Sequence, residues 1–355
     1  MEEKVLMKGN EALARAAIEA GCRFFFGYPI TPQTEVAAYM AKQMPKIGGT
    51  FLQAESEVAA INMVYGAAGA GARVLTSSSS PGVSLKSEGI SYIAGSDLPC
   101  VICNIVRGGP GLGGIQPAQS DYFQATKGGG HGDYHMIVLA PCSVQEMVNL
   151  VKEAFDLADY YRMPVMIMGD GMLGQMMEPV SFGSYKSSKE LAEKTWATTG
   201  TKLERKRNII NSLYITPEEL EKLVVERYKK YDTIIESEAR SEEYMCEDAD
   251  IIIAAYGTIA RVSKTAIKRA RDKGLKVGLI RPITLWPFDK KPFEKYSEKV
   301  KSFLTVEMSM GQMIEDVKLA VSGKAPVEFY GRTGGMIPTP EEILEKLENM
   351  MGGER

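Results

Sequence analysis

Residues 50–80 read TFLQAESEVAAINMVYGAAGAGARVLTSSSS, and the order of elements in this stretch decides the fold. TFLQAE is a short strand-forming run. ESEVAAINMVYGAAGAGA carries the small and apolar residues of a buried helix, and RVLTSSSS is a second strand that runs out into a polar loop. Strand, helix and strand in so few residues make a βαβ unit, with parallel strands and the helix crossing one face. Toward the N-terminus, CRFFFGYP (22–29) is a strand broken at Gly27 and Pro29. MKGNEALARAAIEAGC (7–22) is a helix with Asn10 as N-cap and Gly21 as its stop, and a further helix begins near Pro32 with Thr31 capping it. Toward the C-terminus, PGVSLKSEGISYIAGS (81–96) is a helix with Pro81 in its first turn, and SVQEMVNLVKEAFDLADYY (143–161) is an amphipathic helix. LPCVICNIVR (98–107), MIVLAPC (136–142) and PVMIMGDG (164–171) are strands. This alternation predicts an α/β fold, a doubly wound and mostly parallel sheet covered on both faces, with ligands at the carboxyl ends of its strands.

Residues 181–248 are polar, with the charged runs KLERKR and ERYKKYD, and are expected to be a connecting segment with a helix near 216–230. A second, smaller α/β unit begins at DADIIIAAYGT (248–258) and ends with the helix TPEEILEKLENMM (339–351). The expected organisation is a domain over 1–180, a connector over 181–248 and a second domain over 249–355.

At 355 residues the chain suits about two domains of roughly 150 residues. A net charge of −3 gives no general attraction to nucleic acid or to an anionic membrane. No run approaches the ~20 apolar residues of a membrane span, and the polar start MEEKVLMKGNEAL lacks a signal-peptide core, so a cytoplasmic protein is expected. The five cysteines are odd in number and mostly in apolar surroundings, which suits reduced core thiols. Cys100 and Cys103 lie in a strand whose i and i+3 positions face opposite sides, and no four-cysteine cluster motif is present. With only His131 and His135, neither a histidine-rich metal site nor a His-based triad is indicated, and no metal site is expected on this chain.

GGPGLGG (108–114) formally matches G-x-G-x-x-G, but Ile115-Gln116-Pro117 follows where a dinucleotide site needs a helix. The stretch is better read as a flexible loop that Arg107 enters directly from its strand. Glu57 lies in a first helical turn, where a carboxylate commonly just offsets the helix dipole. The small residues behind it would also let a flat ring approach, and a carboxylate desolvated there can share a proton with a ring nitrogen.

Three features together resemble the alpha subunit of the 2-oxoacid:ferredoxin oxidoreductases: Gly27-Tyr28-Pro29-Ile30-Thr31-Pro32, Ala54-Glu55-Ser56-Glu57-Val58-Ala59-Ala60, and Arg107 after a strand. The similarity extends over essentially the whole chain, including Ser77–Gly82, Val144-Gln145-Glu146 and a C-terminal unit like the transketolase C-terminal domain. LQAESEVAAINMVYGAAGAGARV and GGPGLGGIQPAQSDYFQATKGGGHGDY are most similar to the 3-methyl-2-oxobutanoate (2-ketoisovalerate) branch. The resemblance implies a thiamine-diphosphate-binding domain of the pyrimidine type. It implies that Glu57 contacts the aminopyrimidine and that Arg107 holds the 2-oxoacid carboxylate with a planar, permanently charged fork. Thr31 would face substrate and cofactor, with Tyr28, Pro29, Ile30, Ser79 and Ser80 lining the cofactor site. Gly169-Asp170-Gly171 is similar to the start of the diphosphate–magnesium motif of thiamine enzymes, but no Asn follows before Asn208. The implied thiamine diphosphate is therefore shared. Mg²⁺ and [4Fe–4S] clusters would sit on partners (a beta subunit, a gamma subunit and a ferredoxin-like delta subunit), with coenzyme A as co-substrate and ferredoxin as acceptor.

The implied reaction is CoA-dependent oxidative decarboxylation of a 2-oxoacid to acyl-CoA and CO₂. A 2-oxoglutarate enzyme needs a second cation, because an unpaired buried charge costs several kcal/mol or more. Between Ser77 and Thr126 the only cations are Lys86 and Arg107, whereas Leu112 and Ile115 suit an apolar side-chain pocket. A branched-chain 2-oxoacid is thus favoured over 2-oxoglutarate. Two rivals are a nicotinamide-dependent dehydrogenase, which lacks its fingerprint here, and a non-catalytic docking relative, against which the joint presence of Glu57, Thr31 and Arg107 speaks.

Overall fold

The computed structural model describes residues 3–183 and 185–352. Among these, the chain runs through β1 (Val5–Lys8), α1 (Gly9–Glu19), β2 (Phe24–Gly27), α2 (Thr34–Gln43), β3 (Thr50–Gln53), α3 (Glu57–Gly69), β4 (Val74–Ser78) and α4 (Pro81–Gly95). It continues through β5 (Cys100–Val106), α5 (Tyr122–Thr126), β6 (Ile137–Leu139), α6 (Val144–Tyr161), β7 (Pro164–Asp170), α7 (Gly171–Gln175) and β8 (Met177–Val180). After the connecting stretch come α8 (Pro217–Glu238), β9 (Ser241–Tyr244), β10 (Ile251–Ala254), α9 (Gly257–Asp272), β11 (Val277–Pro282) and β12 (Thr284–Trp286). The last elements are α10 (Lys291–Tyr296), β13 (Ser302–Glu307), α11 (Met313–Val321), β14 (Val327–Gly331) and α12 (Pro340–Gly352). No described helix is long and apolar enough to cross a membrane.

Among the described residues the larger sheet has the order β12-β6-β7-β5-β4-β2-β3, parallel throughout except at its β12 edge. β5 and β7 are buried at every position, because helices cover both faces of a parallel sheet and leave no side for polar residues. On α6, Val144, Met147, Val148, Val151, Phe155 and Ala158 recur at helical spacing and are buried. Each large apolar side chain among them contributes roughly 1.5–3 kcal/mol of transfer free energy. The chain adds β3 on one side of β2 and then returns to add β4 on the other. That reversal opens a crevice at the carboxyl ends of β2 and β4, the place where such sheets bind ligands.

Two local expectations are corrected. Asn10 does not cap α1: Lys8 occupies the N-cap, and the fully buried Asn10 amide donates instead to Pro32 O (2.8 Å) and Glu35 Oε2 (2.9 Å). Thr31 does not cap α2 either. The Thr31–Pro32 peptide is cis, the helix starts at Thr34, and Gln33 holds the N-cap position. For Asn10, long-range partners outcompete the local helix end.

The second sheet has the order β14-β13-β10-β11-β9, with β9 antiparallel at its edge. β9 therefore draws residues 241–244 out of the presumed connector and into the second unit, and α8 extends past residue 230 to Glu238. β12 leaves the second unit and pairs antiparallel with β6 of the first. Polar contacts reinforce this exchange. The buried Arg281 guanidinium meets Glu146 Oε1 (2.8 Å) and Oε2 (3.0 Å), and its Nε meets Glu242 Oε2 (2.7 Å). The Gln119 side chain donates to Tyr256 O (3.0 Å) and accepts from Met308 N–H (3.0 Å), and the Tyr122 hydroxyl donates to Asp316 Oδ2 (2.6 Å).

Candidate active site

Glu57 is the first residue of α3, after an N-cap Ser56 whose hydroxyl accepts from Ala59 N–H (3.2 Å). Its side chain turns inward, leaving the residue 6% exposed. The carboxylate lies against bare backbone at Gly82: a Cβ there would sit 2.6 Å from Glu57 Oε1 and 2.1 Å from Ser78 Oγ. Only glycine admits that approach. Among the described residues, no group hydrogen-bonds the Glu57 carboxylate, whose oxygens face the crevice and are left for a ligand or water.

The carboxyl end of β4 and the residue after it are also short of partners. Ser77, Ser78 and Ser79 are fully buried, and the hydroxyls of Ser78 and Ser79 have no hydrogen-bond partner among the described residues. Ser77 donates instead to Gln33 Oε1 (2.5 Å), on the far side of the crevice. Ser80 has φ +24°, a conformation that side chains other than glycine rarely adopt. It is held there by its N–H donating to Asn104 Oδ1 (3.1 Å) and by its hydroxyl, which accepts from Arg107 N–H (3.1 Å) and donates to Arg107 O (3.2 Å). Asn104 Nδ2 in turn donates to Asp121 Oδ2 (2.9 Å). Burial raises the Asp121 carboxyl above the usual range, against its bonds to Ser80 and Asn104.

Arg107, 7% exposed, leaves β5 into the glycine-rich loop, pinned by a bridge to Pro117. Its Nη1 donates to Thr31 O (2.9 Å) and its Nη2 to Leu112 O (3.1 Å), while Nε is buried with no partner among the described residues. Arg107 thus contacts both Thr31 and Ser80, and Glu57 lies against Gly82, two residues beyond Ser80. Tyr28, Pro29 and Thr31 are exposed along the rim of the crevice. Ile115 lines a mostly apolar cavity of about 660 Å³ with Thr31, Pro32, Pro117, Met172 and Ile337. Leu112 does not line it: the side chain is 84% exposed and the residue acts through its carbonyl.

Sequence reasoning missed Gln33, Gly82, Asn104 and the true place of Lys86. An amide alone in the apolar run VICNIV, and a lysine in a helix of small residues, are the signals that could have found two of them. Lys86 is fully buried, donating to Thr76 Oγ1 (2.6 Å) and Ser77 O (3.1 Å). Burial pulls its ammonium down to about 8, against the opposing pull of Glu57. Asp170 Oδ1 accepts the N–H groups of Met172 (2.9 Å) and Leu173 (3.0 Å), capping α7. Burial pushes the thiols of Cys22 and Cys100 up to about 12, which keeps them protonated and inert.

Residues 15–253 match the family model described as pyruvate flavodoxin/ferredoxin oxidoreductase, thiamine diP-binding, and residues 249–343 match pyruvate:ferredoxin oxidoreductase core domain II. The chain is 49% identical to ketoisovalerate oxidoreductase subunit VorB of Methanothermobacter marburgensis, over 98% of each chain. It is 37% identical to 2-oxoglutarate synthase subunit KorA of Methanothermobacter thermautotrophicus, over 99% of this chain and 100% of that one. Among solved structures it is similar to a 2-oxoglutarate:ferredoxin oxidoreductase from Magnetococcus marinus with 2-oxoglutarate, coenzyme A and succinyl-CoA bound. That similarity has a TM-score of 0.84 at 28% identity and covers 98% of this chain, which spans 65% of the solved chain's length.

Proposed function

The chain belongs to the pyruvate flavodoxin/ferredoxin oxidoreductase family, and from that premise we propose that it presents Glu57 to the pyrimidine of thiamine diphosphate within a multi-subunit 2-oxoacid:ferredoxin oxidoreductase. The observation that carries this reading is the Glu57 carboxylate itself, on a largely buried residue, open to the crevice, without a hydrogen bond among the described residues, and lying on the bare backbone of Gly82. Such a group is a proton-sharing partner waiting for a flat, nitrogen-bearing ring. The buried hydroxyls of Ser78 and Ser79 and the Nε of Arg107 are further donors that a ligand in the crevice would satisfy.

Thiamine diphosphate, when bound, supplies a nucleophilic carbon and a sink for the electron pair released with CO₂. Glu57 holds and returns the proton at the pyrimidine nitrogen. Arg107 grips the substrate carboxylate. Its fork already reaches the Thr31 and Leu112 carbonyls, so the guanidinium is oriented before substrate arrives. Thr31 borders both this fork and the apolar cavity, where its hydroxyl can meet the keto group.

The cavity lining contains Ile115, Pro117, Met172 and Ile337 and no charged side chain, which suits the branched aliphatic tail of 3-methyl-2-oxobutanoate. A second carboxylate there would lack a counter-ion, at a cost of several kcal/mol. Lys86 does not supply one, since its ammonium is committed inside the sheet. The VorB relative supports the same substrate class, and the KorA relative keeps 2-oxoglutarate as the competing reading.

Partner subunits would complete the site. Val58 and Leu85, on the helices that carry Glu57 and Gly82, are 45% and 54% exposed and suit coverage by a beta subunit that holds the diphosphate and Mg²⁺. Electrons would pass to [4Fe–4S] clusters on partner subunits and on to ferredoxin, with coenzyme A taking the acyl group in the cytoplasm. The test is decarboxylation by the co-expressed complex with a viologen acceptor, across 3-methyl-2-oxobutanoate, 2-oxoglutarate and pyruvate. Preference for 2-oxoglutarate defeats the branched-chain assignment, and absence of thiamine-dependent turnover with any of them defeats the reading as a whole.

A further inference from the structure

We propose that Lys86 is the counter-charge of Glu57, a positioning residue whose ammonium biases the proton shared by Glu57 and the thiamine pyrimidine toward the ring. The inference rests on the thiamine reading above. Gly82 and Lys86 are four residues apart on α4 and share one face, about one helical turn from each other. Thr76 and Ser78 are two apart on β4 and share one face of the sheet, so the ammonium held by Thr76 lies on the side where Ser78 and the Glu57 carboxylate meet Gly82, in range of a charge interaction without a direct ion pair. The ammonium is fixed there by Thr76 Oγ1 (2.6 Å) and Ser77 O (3.1 Å), on the strand that ends in Ser78.

A fully buried ammonium held by two neutral oxygens has no anion bonded to it, so any offset to its desolvation must come from a charge farther off. Three titratable groups act on it: Glu57 from α3, and Cys103 and Cys100 from β5. Burial keeps both thiols protonated, which leaves Glu57 as the one carboxylate of the set. The sign of the effect follows. A cation beside the carboxylate–pyrimidine pair favours loss of the shared proton from the pair, and within the pair it favours the ionised carboxylate over the acid. The ring therefore carries the proton more often than it would beside an isolated glutamic acid.

Two measurements separate this inference from the family reading. In the full chain without cofactor, the Lys86 ammonium is followed by ¹³Cε chemical shift against pH, in the wild type and in Glu57→Gln. The variant is expected to lower the Lys86 midpoint by roughly one pH unit; an unchanged midpoint overturns the pairing. In the assembled complex, the circular-dichroism signature of the bound aminopyrimidine is followed against pH, in the wild type and in Lys86→Met. Loss of the cation is expected to move its transition up by roughly one pH unit, and an unmoved transition with thiamine still bound overturns the role assigned to Lys86. Should Lys86→Met fail to fold, Thr76→Val removes one anchor of the ammonium while keeping the side chain's shape. Combined with Glu57→Gln, it is expected still to show a Lys86 midpoint lower than in Thr76→Val alone, and no difference between the two counts against the proposal. If the wild-type complex shows no thiamine signature, the family reading fails, while the cofactor-free titration still decides whether the pair exists.

Discussion

Arg107 Nη1 donates a 2.9 Å hydrogen bond to the carbonyl of Thr31, tying the loop that follows β5 to the loop that follows β2. The two loops flank the crevice from strands separated by β4, so one guanidinium fixes the spacing of the walls between which substrate must enter. Lysine can replace its charge but not both arms of its fork. Arg107→Lys is therefore expected to raise KM for the 2-oxoacid and lower kcat/KM by roughly 10–100-fold, with thiamine affinity nearly unchanged. Steady-state kinetics and cofactor titration of the reconstituted complex check both halves of that statement.

Glu57→Ala leaves the N-cap of α3 in place, because the cap is made by Ser56. The complex is expected to assemble normally by size-exclusion chromatography while turnover drops by about 10²–10⁴-fold. Full activity of the variant complex would leave the chain as a docking protein.

Ser80→Ala removes the hydroxyl that clasps both backbone groups of Arg107 while leaving the φ +24° backbone to be supported by Asn104 alone. Its expected cost is about 1–3 kcal/mol in urea unfolding, together with a higher KM. A change in stability with no change in KM would show that Ser80 does not position the guanidinium.

The buried Arg281 guanidinium serves Glu146 in the first unit and Glu242 at the edge of the second. Arg281→Met leaves two carboxylates facing an apolar side chain, and a loss of roughly 3 kcal/mol is expected. A single shared denaturation midpoint in the wild type that splits into two in the variant would locate the damage at the junction.

Stability should also respond to pH through Lys86. Its folded-state midpoint of about 8 lies below the ordinary lysine value of 10.5, so between these two pH values the unfolded chain binds the extra proton. Stability is then expected to rise with pH across that window, by a total of roughly 3 kcal/mol, and to carry the full penalty below it. Lys86→Met should flatten the rise. The urea midpoint measured from pH 7 to pH 10 shows whether it does.

Much of the fold was legible because its causes are local. The small-residue helix between two strands at 50–80, the apolar periodicity of α6 and Pro81 at the first turn of α4 depend on neighbours within a few residues. The positions of Glu57 at a helix start and of Arg107 at a strand end follow from the same local reading. What escaped was set by distant partners. Asn10 has the side chain of a cap but gives its amide to Pro32 and Glu35, more than twenty residues away. β9 and β12 are too short to announce which sheet they join. Lys86 looks like a solvated helix residue until the packing of α4 on β4 shows its ammonium enclosed by Thr76 and Ser77.

The strand Thr284–Trp286 gives the first sheet its last row of hydrogen bonds from a segment more than a hundred residues downstream of the sheet's own final strand. Cutting the gene between the two units would therefore leave Ile137–Leu139 as a bare, wholly apolar ribbon, inviting other chains to zip onto it. The halves cannot be shuffled like beads on a string. Any recombinant that swaps the C-terminal portion must bring along its own stopper for that seam.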